Sequence, residues 1–195
     1  MSDEWKSKRK KKAVSGKPLQ RGPRPGAFQP PPEANGLRLQ RLDGNRYAFV
    51  APRCALLRDL DLDEVAAMRG EQEPGMARDE LLFLVEDCRG FLEAYNILAE
   101  LALEEGDIPL ARGYYGFAYE SGLAAIPPAF KGRIPAGAGY NRHFYLAGRG
   151  LARCLIAAKE VKEGRGILQQ LLRWDPDEPD VGALLAELDT QRPAK

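Results

Sequence analysis

The stretch 92–125, LEAYNILAELALEEGDIPLARGYYGFAYESGLAA, decides the fold. Its small and large apolar residues recur at spacings of three and four: Tyr95, Leu98, Ala99 and Ala102, then Ala111, Tyr115 and Ala118 beyond the break at Gly106-Asp107. Such spacing is the period of an amphipathic helix, and here it occurs twice with a turn between.

The same pattern extends in both directions. It predicts helices at about 60–69, 76–87, 90–105, 108–124, 143–159, 162–174 and 180–190, separated by EQEPG, Arg89-Gly90, Gly106-Asp107, a long Pro/Gly stretch, the turn at Glu160–Glu163 and DPDEP. Short turns between helices predict antiparallel hairpins. The hairpins repeat. Ala77, Leu81 and Leu84 recur 34 positions later as Ala111, Tyr115 and Ala118, and Gly148, Leu151 and Ala152 recur at the same interval as Gly182, Leu185 and Ala186. A fixed period of this size is the signature of a stacked helical repeat.

These positions resemble the tetratricopeptide repeat, in which small and large residues let two helices of a unit pack closely and stack on the next unit. The unit 92–125 follows the family order. The next reads Gly148, Leu151, Ala152, Leu155, Gly164, Leu168, Leu171 and Pro176, and WDPDEP looks like the closing turn. The last helix, with Gly182, Leu185 and Ala186, would cap the stack. The first unit departs from the pattern, since Leu60, Val65 and Met68 fit its first helix poorly. The distance from Ala99 to Ala152 exceeds the period by 19 residues, which predicts an inserted loop at about 126–142.

Ahead of the helices, LRLQRLDGNRYAFV places Leu37, Leu39 and Leu42, then Tyr47 and Phe49, around Asp43-Gly44-Asn45, a hairpin signal. A lone hairpin is marginal in water, so this one is expected to lie on the helices. Residues 1–32 carry nine Lys or Arg against two carboxylates, a charge of +7, together with six of the 15 prolines; the remainder of the chain sums to −6. So few apolar groups cannot offset the entropy of ordering, and residues 1–34 read as a disordered basic tail. The expected organisation is this tail, a β-hairpin at 35–53, a helical repeat domain at 54–190 and a disordered C-terminus at 191–195. The fold class is all-α, a short TPR-like helix-hairpin stack with a small N-terminal β-hairpin.

Chemistry is conspicuous mainly by what is missing. His143 is the single histidine, and no phosphate loop, strand-bounded GxGxxG, HExxH or zinc spacing occurs. Asp59, Asp61, Asp63 and Glu64 lack the glycine and distal glutamate of a calcium loop and read as charge complementing a helix N-terminus. No catalytic residue, cofactor or metal is assigned, and the chain reads as a non-enzyme. Cys54, Cys88 and Cys154 form no motif, and an odd number of thiols suits a reducing, cytoplasmic compartment, or a nuclear one in a eukaryote. No apolar run reaches membrane-spanning length.

The resemblance implies a binding face. With the repeat in this register, the concave surface takes Glu93, Asn96, Glu100 and Leu103 from one unit and Leu146, Arg149, Arg153 and Ile156 from the next. Family clamps for acidic peptide termini use Asn, Lys and Arg at such places, so Asn96, Arg149 and Arg153 are candidate contacts for an acidic segment. A competing reading pairs these arginines with Glu100 or Glu104 as a surface network that binds nothing.

Two other surfaces stand out. Eight of the 16 aromatic residues lie at 114–145, and Phe130, Lys131, Arg133, Tyr140, Arg142 and His143 form a candidate loop surface. Alternatively, that loop packs over the stack as a structural part. The run Lys8, Arg9, Lys10, Lys11 and Lys12 suits nonspecific contact with an anionic partner such as nucleic acid, or merely solvates the tail. The sequence therefore points to a protein-interaction adaptor or scaffold, with a nucleic-acid-associated factor as the alternative. The exposed end of so short a stack could dock on another copy or on a larger assembly.

Overall fold

A computed structural model describes residues 36–71, 73–86 and 88–190. The basic tail, its Lys8–Lys12 run and the C-terminal residues 191–195 lie outside the described residues. Two strands, β1 (Arg38–Asp43) and β2 (Arg46–Val50), precede eight helices: α1 (Arg53–Leu56), α2 (Asp59–Gly70), α3 (Pro74–Glu86), α4 (Leu92–Glu104), α5 (Ile108–Ala124), α6 (Asn141–Ala157), α7 (Val161–Trp174) and α8 (Pro179–Thr190). The seven helices read from periodicity are all present, and the four-residue α1 is additional.

Each hairpin of helices forms where the periodicity placed it. Helices α4 and α5 pack closely, α5 packs on α6, α6 on α7, and α4 touches α6 directly. Ala77, Leu81, Leu84, Ala111, Tyr115 and Ala118 are all buried, so the 34-residue recurrence marks core positions, with Ala77, Leu81, Leu84 and Ala118 in the main cluster and Ala111 and Tyr115 in a second one with Ala99, Ala102 and Cys154. Close approach depends on two glycines. A Cβ at Gly150 would lie 2.5 Å from the Tyr115 ring, and one at Gly122 would lie 2.2 Å from the Phe144 ring. The first helix of the irregular N-terminal unit is nevertheless formed: α2 buries Val65 and leaves Leu60 outside.

The hairpin is antiparallel, Arg38 opposite Val50 and Leu39 opposite Phe49, with an irregularity between Arg41 and Asp43. The inserted loop anchors it. The Tyr47 amide donates to the Arg133 carbonyl and the Arg133 amide to the Asn45 carbonyl, each at 2.8 Å, an isolated parallel bridge beside β2. Asn141, fully buried at the start of α6, holds three segments at once. Its Oδ1 accepts from the Phe49 amide at 2.7 Å, and its Nδ2 donates to the Tyr47 and Pro135 carbonyls at 3.1 and 2.8 Å. Phe144 sits centrally, its ring 4.9 Å from Phe49, 5.2 Å from Tyr119 and 5.7 Å from Trp174. Hairpin and stack thus share one aromatic core.

The cysteine reading needs correction. Cys54 on α1 and Cys88 before α4 form a disulfide across a sequence separation of 34 residues, leaving Cys154 as the free, buried thiol. Their separation in sequence carried no motif, and folding α1 onto the turn between α3 and α4 brings them together.

Candidate partner-binding face

Of the first helices of successive hairpins, α4 and α6 touch directly, and ion pairs join α2 to α4 and α6 to α8. Arg69 of α2 reaches Glu100 at 3.3 Å and Glu104 at 2.7 Å on α4. Arg149 of α6 pairs with Asp180 at the start of α8 and lies 3.8 Å from Glu178. Glu100, Arg149 and Arg153 act on a common neighbour, Tyr115. Its phenol is pushed up to about 12, first by burial and then by the Glu100 carboxylate, against the pull of Arg153 and Arg149. Glu100, Arg149 and Arg153 thus all act electrostatically on Tyr115.

Other candidates sit differently. Asn96, expected on the open face, is 1% exposed, and its Nδ2 donates to the His143 carbonyl at 2.9 Å. Its position one turn from Glu93 carries it under α6, where the amide joins α4 to α6. Leu103 is exposed, Leu146 and Ile156 half-buried, and Arg153 is exposed with no salt bridge among the described residues. The pairing of Glu100 or Glu104 with Arg149 and Arg153 does not form; those carboxylates turn to Arg69 and Arg149 turns to α8.

The insertion divides into anchor and surface. Phe130 packs edge-on against Tyr47, with ring centroids 4.9 Å apart, while Lys131 stays exposed. Arg133 pairs with Asp177 at 3.0 Å. Ile134 is fully buried and accepts the Tyr145 hydroxyl at 2.8 Å. His143 is no surface residue: it lies 6% exposed in the first turn of α6. Its Nε2 accepts from Arg142 Nε at 2.8 Å and lies 3.4 Å from a Glu93 oxygen. Burial, aided by the Arg142 charge, pushes the imidazole down to about 4, so it is neutral at pH 7 and its contact with Glu93 is no ion pair. Tyr140, Arg142, His143 and Glu93 face Leu56 and Phe91 across a small cavity of about 240 Å³. Asn141, Tyr145 and the disulfide escaped sequence reasoning, since single polar side chains that tie distant segments leave no periodic signal.

Among the described residues, no group of three or more His, Cys, Asp and Glu is placed to hold a metal ion. No described helix is long and apolar enough to cross a membrane.

Comparison with known proteins agrees with the helical-repeat fold. A family model of the tetratricopeptide repeat matches residues 137–188. Among solved structures, the N-terminal domain of stress-induced protein-1 (STI-1) from C. elegans is similar, with a TM-score of 0.53 and 14% sequence identity, over 70% of this chain and 98% of that one. No curated protein matches the chain.

Proposed function

We propose that this TPR-like helical-repeat protein is a protein-interaction adaptor that captures a peptide or partner segment on the face formed by α4 and α6. The observation that supports it most is the grouping of Glu100, Arg149 and Arg153 around Tyr115, beside the exposed Leu103 and half-buried Leu146 and Ile156. Arg153, which has no salt bridge among the described residues, would take a ligand carboxylate directly, with the charge-assisted geometry guanidinium groups favour. Arg149 would contribute after exchanging its Asp180 partner, and the apolar trio would supply contact area. Asn96 acts from inside, by holding the two helices at their spacing.

Affinity capture with the full chain and with an Arg149→Glu, Arg153→Glu variant tests this. Loss of a partner with the variant, at an unchanged circular dichroism spectrum, is the expected result. A folded variant that retains every partner removes the face from consideration.

A further inference from the structure

The N-terminal helices α1–α3 carry two features that the binding face does not explain. The five most exposed large hydrophobic side chains described, Leu60, Leu57, Leu56, Phe83 and Met76, all lie here, at 55% to 76% exposure. The second feature is charge. Asp61, Asp63, Glu64, Glu71, Glu73, Asp79, Glu80 and Glu86 form no salt bridge among the described residues; Arg69 and Arg78 pair instead with Glu100, Glu104 and Glu105, which leaves these eight carboxylates against only Arg53, Arg58 and Arg89. Arg58, next to Leu57, lies 5.5 Å from the centre of the Phe83 ring and donates to the Leu84 carbonyl at 3.4 Å, which brings the start of α2 against the end of α3. An apolar, acidic face of this kind is what a basic segment with apolar residues would cover.

We propose that residues 1–35 of the same chain dock on this α1–α3 face, their lysines and arginines against the α2–α3 carboxylates and their Trp5, Leu19 and Phe28 against the exposed leucines. Three observations select this occupant. The segment carries the complementary charge, +7 over residues 1–32. It joins the described chain at Gly36, and Arg38 is paired with Val50, three residues before α1, so it leaves the chain near the start of α1. Gly36 lies 24 positions beyond Lys12. At up to about 3.3 Å each they span about 80 Å, enough to reach any point on α2 and α3. Covalent attachment also raises the effective concentration to the millimolar order, so a weak contact is populated. A second copy seated symmetrically would instead bring carboxylates against carboxylates. The proposal is independent of the α4–α6 face. It implies that an anionic partner reaching for the basic run must first compete with the chain's own helices.

Zero-length carbodiimide cross-linking of the full-length, nuclease-treated protein tests it, using an equal mixture of ¹⁴N- and ¹⁵N-labelled chains. The expected result is links from Lys6–Lys17 to Asp61, Asp63, Glu64 or Glu80 within isotopically uniform species, falling roughly tenfold in about 0.5 M salt. A Leu57→Ser, Leu60→Ser variant, altering side chains already three-quarters exposed, keeps its circular dichroism spectrum and loses these links by about tenfold. The proposal is overturned by links spread equally onto Glu120, Glu163 and Asp177, by links found only between differently labelled chains, by no links, or by a variant with unchanged yield.

Discussion

Gly106 and Lys159 occupy the same place in successive hairpins, both in the left-handed region, with φ of 79° and 69°. The bonds match as well. Gly106 and Asp107 donate to Leu103 and Ala102 at 3.0 and 2.8 Å, and Lys159 and Glu160 donate to Ile156 and Leu155 at 3.0 and 2.9 Å. A side chain in that conformation costs about 1 kcal/mol, offset in part by the lower entropy of a non-glycine unfolded chain. Lys159→Gly is expected to raise the unfolding free energy by about 0.5–1 kcal/mol in urea titration. Gly106→Ala should lower it by about 1 kcal/mol. A destabilised Lys159→Gly would show that the lysine side chain supplies more than the strain removes.

The Cys54–Cys88 disulfide closes a loop across 34 residues of separation and ties α1 to the stack. Chain-entropy arguments put such a crosslink at about 4 kcal/mol, with measured cases commonly at about 2–4. Equilibrium urea unfolding with and without a dithiol reductant should show a loss of that size. A Cys54→Ala, Cys88→Ala variant should match the reduced protein and ignore the reductant. Equal stability with and without reductant would mean the bridge restrains nothing that matters to the folded state.

His143 makes stability depend on pH in a definite direction. Its folded value, pushed down to about 4 from the ordinary 6.5, means the unfolded chain binds more protons between those limits. Stability from this group is therefore fully present above about pH 6.5 and declines toward pH 4, by at most about 1.4 kcal/mol per pH unit. Urea unfolding across this range should give a slope shallower by about one proton in His143→Gln than in the parent. Identical slopes would show that the imidazole is freely hydrated.

Much of the fold was legible because its signal is periodic. Ala111, Tyr115 and Ala118 announce a repeat through spacing alone, and so do the helices that bear them. The hairpin was legible too, since Asp43-Gly44-Asn45 is local turn chemistry. What stayed hidden is what arises only when distant segments meet. Nothing around Asn141 says that it bonds a strand 92 residues away, and Lys159 conceals a turn that glycine marks at 106. For the candidate face, register named Glu100, Arg149 and Arg153, which all act on Tyr115. It could not say that Asn96 turns inward or that Arg149 is already held by Asp180.

That difference separates support from contact. Asn96→Ala leaves the buried His143 carbonyl without its side-chain donor, and should cost about 1–3 kcal/mol of stability. Below its unfolding transition the variant should still capture the partner, because the amide is inside. Arg153→Glu alters an exposed group with no salt bridge among the described residues, so stability should move by no more than about 0.5 kcal/mol. Its capture should fall about tenfold or more, since a carboxylate then meets an acidic ligand where a guanidinium stood. Thermal melts and capture on the same samples read both quantities. If Asn96→Ala abolished capture at unchanged stability while Arg153→Glu did nothing, the ligand would have to enter between α4 and α6 rather than lie on them.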